Sequence, residues 1–129
     1  MNEKQTVFIV DDEPVVARAL ARLLRASGYT TEVFGSAQEL MDGYKPGSGG
    51  CLVADLSMPG TNGLDLKRWL DASGHSMPVI FVTGYDDLTD EERAILQGAV
   101  EIFKKPVNPD ALLAVIEKAL ARDRESRKS

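Results

Sequence analysis

The stretch Thr6-Val7-Phe8-Ile9-Val10-Asp11-Asp12-Glu13-Pro14 decides the fold. Thr6 and the four apolar residues after it form an unbroken β-branched and aromatic run, the pattern of a strand covered on both faces. Three acids follow, and then Pro14, whose missing N–H costs nothing at the first position of a helix. Beyond it Val16, Leu20, Leu23 and Leu24 recur at i, i+4, i+7 and i+8, which predicts one buried helix face. Gly28 stops that helix. A strand, an acidic tip and a helix make one unit of a parallel sheet.

Working outward, the same alternation predicts further strands over 29–34, 51–56, 78–83 and 100–104. Ser36-Ala37-Gln38-Glu39 is a capping box, so a short helix runs from there through Gly43. Lys45-Pro46-Gly47-Ser48-Gly49-Gly50 is a loop of breakers. A third helix begins at Asn62 or Gly63, carries Leu66, Trp69 and Leu70 at helical spacing, and is bounded by Gly74 and Pro78. Thr89-Asp90-Glu91-Glu92 is a second capping box, opening a helix that ends at Gly98. Asn108-Pro109 caps the last helix, where Val107 can staple to Leu112, and Leu112, Leu113, Ile116, Ala119 and Leu120 form its stripe. The expected architecture is α/β: a single doubly wound, five-stranded parallel sheet with helices on both faces. The apolar period lapses near Ala121, so 1–121 reads as the folded unit and 122–129 as a charged tail, a frayed helix end or the start of a linker.

The chain has 129 residues, with 20 acidic and 15 basic side chains, a formal charge of −5. That is one domain's length. The acidic excess disfavours direct nucleic-acid binding, which needs Lys and Arg to neutralise phosphates. Cys51 is the single cysteine, so no internal disulfide and no zinc ligand set is expected, and a reducing, cytoplasmic setting fits. The apolar run before Asp11 falls far short of the ~20 residues of a membrane span, and its acidic flank is foreign to a signal peptide. His75, between Gly74 and Ser76, reads as a solvent-facing loop residue.

Ligands of open parallel sheets bind beyond the carboxyl ends of the strands, where the strand order reverses. The polar residues expected there are Asp11 and Asp12 after the first strand, Asp55 at the end of the third, Thr83 after the fourth and Lys105 after the fifth. Carboxylates converging on one crevice repel each other and call for a cation. Mg²⁺ fits, being a hard ion that takes one or two carboxylates with waters and phosphate oxygens. A carboxylate can then act as a nucleophile toward phosphorus, with Lys105 as a point charge and Thr83 as a hydroxyl donor for phosphoryl oxygens. Each residue has a plainer reading: acids favoured at a helix N-terminus, a turn aspartate, a β-forming threonine. The set taken together outweighs them.

Asp11-Asp12, Asp55-Leu56-Ser57-Met58-Pro59 with Gly63 beyond it, Val82-Thr83-Gly84 and Lys105-Pro106 resemble the receiver domain of bacterial two-component response regulators. Thr83-Gly84 and Gly98-Ala99-Val100-Glu101 are most similar to the FixJ-like subgroup. The resemblance implies a flavodoxin-like sheet of order 2-1-3-4-5. It implies that Asp55 accepts a phosphoryl group from a histidine kinase or phosphotransfer protein, and that Asp11 or Asp12, Asp55 and the carbonyl of Ser57 hold Mg²⁺. Thr83 and Lys105 would bond the phosphoryl oxygens, Ser57 and Tyr85 would tune its lifetime, and the Lys105-Pro106 bond would be cis. The chain would be a signalling switch that promotes its own aspartyl phosphorylation and dephosphorylation, acting on an output domain, a partner protein or a second copy of itself. One departure concerns the switch region of Thr83 and Ile102. The family usually has an aromatic where this chain has Ile102, and strand alternation aims the adjacent Phe103 at the opposite face. Two other readings are a pseudo-receiver that binds partners without phosphorylation, and a phosphatase of the haloacid dehalogenase type, which wants a second Asp where Ser57 stands.

Overall fold

A computed structural model of the chain describes residues 6–43, 50–55, 63–72, 77–83, 101–104 and 107–128. Along the chain come β1 (Thr6–Val10), α1 (Pro14–Ala26), β2 (Thr30–Phe34), α2 (Ala37–Gly43), β3 (Cys51–Asp55), α3 (Gly63–Ala72), β4 (Val79–Thr83), β5 (Glu101–Lys104) and α4 (Pro109–Lys128). The five strands pair in the order β2-β1-β3-β4-β5, all parallel. This is the expected doubly wound sheet. The helix expected over 89–98, His75, and the segments holding Ser57, Tyr85, Lys105 and the Lys105-Pro106 bond lie outside the described residues.

Each face of the sheet carries its own apolar layer. Phe8, Val10, Leu52, Ala54, Val79 and Phe81 meet Ala37 and Leu40 of α2 and Leu66 and Leu70 of α3. On the other face Val7, Ile9, Cys51, Val53, Ile80 and Val82 meet α1 and α4. β3 and β4 are buried along their whole length, as strands covered on both sides must be.

α1 corrects one detail of the sequence reading. Its sheet-facing residues are Ala17, Ala21 and Leu24, while Val16 is 43% exposed and Leu20 and Leu23 are half-buried. Small alanines let the helix backbone approach the sheet closely, which turns the larger side chains toward its flank. The helix ends as expected in a glycine cap: Gly28 has φ +98, its N–H bonds to the carbonyl of Arg25, and the N–H of Tyr29 bonds to that of Leu24.

The caps foreseen for α2 and α4 are present. The Glu39 N–H donates to Ser36 Oγ at 3.1 Å. Asn108 Oδ1 accepts from the N–H groups of Asp110 and Ala111 at 2.9 and 3.2 Å, and Val107 and Leu112 belong to one apolar layer, as a staple requires. Asn108→Ala is expected to cost about 1 kcal/mol of stability, read as a lower urea midpoint with an unchanged slope. α4 also runs on to Lys128, past the point where its apolar stripe stops.

Candidate functional site

The register of β1 and β3 assembles the acidic site. Val10 lies opposite Ala54, so the next residues, Asp11 and Asp55, follow at the carboxyl ends of two adjacent strands. β1 leads into a helix on one face of the sheet, and β3 into a helix on the other. Their boundary is therefore the point where ligands of such sheets bind.

Asp11 is fixed twice. Its N–H donates to the carbonyl of Phe34, extending the β1-β2 ladder, and its Oδ1 accepts the Glu13 N–H at 2.9 Å. The chain thus turns from β1 into α1 with the Asp11 side chain held at the turn. Asp12 and Glu13 are exposed and Asp11 is half-buried. Asp55 is only 3% exposed.

Ligand oxygens of Asp11, Asp12, Glu13 and Asp55 all lie within 4.8 Å of one another. The structure thus brings together the three carboxylates singled out from the sequence and adds a fourth. Glu13 was legible only as an acid at a helix N-terminus, because nothing in its spacing tells a dipole-favoured glutamate from one turned toward the strand ends. Hard oxygen donors at this density suit a divalent cation such as Mg²⁺.

Thr83, the last residue of β4, is 3% exposed and follows Val82, the register partner of Asp55. Beside the acids opens a groove of about 640 Å³. Asp11, Glu13 and Asp55 stand at one part of it, and Val16, Leu20, Val107 and Leu112 are among its apolar walls. Ile102 pairs with Phe81 and Thr83 with Lys104, so Ile102 and Thr83 share a face of the sheet. Ile102 packs against the layer of α2 and α3, and Phe103 against that of α1 and α4, which is the separation alternation predicts. Among the described residues no helix is long and apolar enough to cross a membrane.

The family model for the response regulator receiver domain matches residues 7–117. The chain belongs to this family. Among curated relatives of this receiver domain, the response regulator protein TodT of Pseudomonas putida is 38% identical over 114 residues, which cover 88% of this chain and 50% of TodT. The transcriptional regulatory protein FixJ of Bradyrhizobium diazoefficiens is 32% identical over 129 residues, covering 100% of this chain and 63% of FixJ. The receiver domain thus spans half to under two-thirds of these relatives. Among solved structures, the response regulator StyR superposes with a TM-score of 0.89 at 37% identity, covering 98% of this chain and 64% of StyR. The crystal structure of FixJ-N gives 0.78 at 32% identity, covering 93% and 96%. The chain is therefore a receiver domain of the kind found in two-component response regulators, as the resemblance implied.

Proposed function

We propose that Asp55 is the phosphoacceptor of this receiver domain. A carboxylate oxygen of Asp55 attacks phosphorus in a phosphohistidine of a histidine kinase or phosphotransfer protein. The P–O bond forms, the P–N bond breaks and the imidazole leaves with a proton. Asp11 or Asp12, Asp55 and the carbonyl of Ser57 are the groups that would hold Mg²⁺, and the bound ion would offset the negative charge gathered between donor and acceptor. Thr83 donates its hydroxyl to a phosphoryl oxygen and Lys105 pairs with another. Ser57 and Tyr85 tune the lifetime of the acyl phosphate, and the domain promotes both its phosphorylation and its hydrolysis. Rearrangement around Thr83 relays the state of Asp55 to an output domain, a partner protein or a second copy of the chain. Residues 1–121 form the switch and 122–129 a charged tail or the start of a linker, and the unit works in the cytoplasm without touching nucleic acid itself.

One observation carries this reading. In a chain of the receiver family, a buried aspartate closes β3 with three more carboxylates having oxygens within 4.8 Å. The test is intact-mass measurement after incubation with acetyl phosphate and Mg²⁺. One phosphoryl adduct is expected on the native chain and none on Asp55→Asn. An equal adduct on the variant, or none on the native chain, would falsify the assignment.

A further inference from the structure

Asp55 has a row of neighbours on its own face of the sheet. Register pairs Asp55 with Val82, and Val82 with Phe103, so the three side chains stand side by side across β3, β4 and β5, at about 4.8 Å per step. Alternation puts this row on the face of Cys51, Val53 and Ile80, the face covered by α1 and α4. Phe103 ends the row, half-buried, in the layer that holds Leu112 and Ile116 of α4. Ile102 lies on the other face, opposite Phe81 and against the layer of α2 and α3. In this chain, then, the aromatic of β5 shares a face with Asp55 and the last helix.

Free space lies on that same face. The 640 Å³ groove is bounded by Asp55 and Val82 on the sheet and by Val107, Pro109 and Leu112 around the start of α4. Val82, the middle of the row and the neighbour of Phe103, borders this groove, and side chains beside a void have room to shift that a close-packed interior denies. Asp55 is 3% exposed, so a dianionic group added to it presses first on the side chains of its own row. Packed layers answer such pressure by moving between discrete arrangements.

We infer that the phosphorylation state of Asp55 passes through Val82 to Phe103 and from there to the first turns of α4, with Phe103 rather than Ile102 as the aromatic that carries the switch. This rests on Asp55 being the phosphoacceptor. It is tested by hydrogen exchange of the α4 amides before and after acetyl phosphate with Mg²⁺, with the adduct measured by mass in the same samples. In the native chain, phosphorylation should change protection around Leu112 and Ile116 by about threefold or more. Phe103→Leu should lose most of that change at equal adduct, Phe103→Tyr should restore it, and Ile102→Ala should keep it. A response lost in Ile102→Ala, or retained in Phe103→Leu, overturns the inference. A full adduct with α4 unchanged also overturns it while leaving Asp55 as acceptor, whereas absence of any adduct on the native chain brings down both.

Discussion

Chelating divalent cations with EDTA is expected to slow phosphoryl uptake from acetyl phosphate by about 100-fold or more, and added Mg²⁺ should restore it. The reason is charge. The donor is an anion approaching a site where oxygens of four carboxylates lie within 4.8 Å of one another. Two unit charges about 5 Å apart repel by about 3 kcal/mol at an effective dielectric constant near 20. Asp12 and Glu13 are exposed, so solvent and salt weaken their share. Asp11 and Asp55 are more covered, and their share persists. A 100-fold rate loss corresponds to about 2.7 kcal/mol, within reach of a single unrelieved repulsion of this kind. The measurement is the time course of the adduct by intact mass, with and without chelator. A rate indifferent to EDTA would remove the cation from the reaction and leave the four acids without their proposed role. Asp12→Ala should lower Mg²⁺ affinity in calorimetry, and an unchanged affinity would show that this exposed acid is no ligand.

Much of this was legible in the sequence because strands covered on both faces leave a strong mark. Val7, Phe8, Ile9 and Val10, a short β-branched and aromatic run closed by acids, read as such a strand, and the breaks at Gly28, Gly43 and Asn108-Pro109 punctuate the helices. The acidic tips of the first and third strands followed from the same reading, since residues just past an apolar run must lie at the end of the sheet. Three features were not legible, each for a physical reason. The face that α1 turns to the sheet depends on how closely two backbones approach, and there Ala17 and Ala21 outrank Val16. Glu13 joins Asp11, Asp12 and Asp55 through the turn that Asp11 Oδ1 makes with the Glu13 N–H, a local bond that no periodicity announces. The row from Asp55 to Phe103 depends on the register of β3 with β4 and of β4 with β5, which the sequence of each strand alone does not contain.

Gly50→Ala is expected to destabilise the domain by about 2–5 kcal/mol, roughly twice as much as Gly28→Ala, although both glycines adopt a positive φ. Gly28 has φ +98 and Gly50 φ +115, so an alanine at either meets the steric cost of the left-handed region, about 1–2 kcal/mol. Their surroundings differ. A Cβ at Gly28 would have nothing within 4 Å, whereas one at Gly50 would collide with the carbonyl oxygen of Thr6 and reach 3.5 Å from Cε2 of Phe8. The Thr6 carbonyl is backbone of β1 and cannot rotate away as a flexible side chain would, so β3 must shift against β1. Overpacking of this kind adds about 1–3 kcal/mol, a large part of the 5–15 kcal/mol that holds a typical domain together. The same shift reaches the site. Val10 and Ala54 are register partners, and it is their alignment that sets Asp11 beside Asp55. Urea unfolding should therefore rank Gly50→Ala below Gly28→Ala, and calorimetry on the fraction of Gly50→Ala that folds should show weaker Mg²⁺ binding. Equal stability losses at the two glycines would mean that β1 and β3 are not held as closely as their pairing requires.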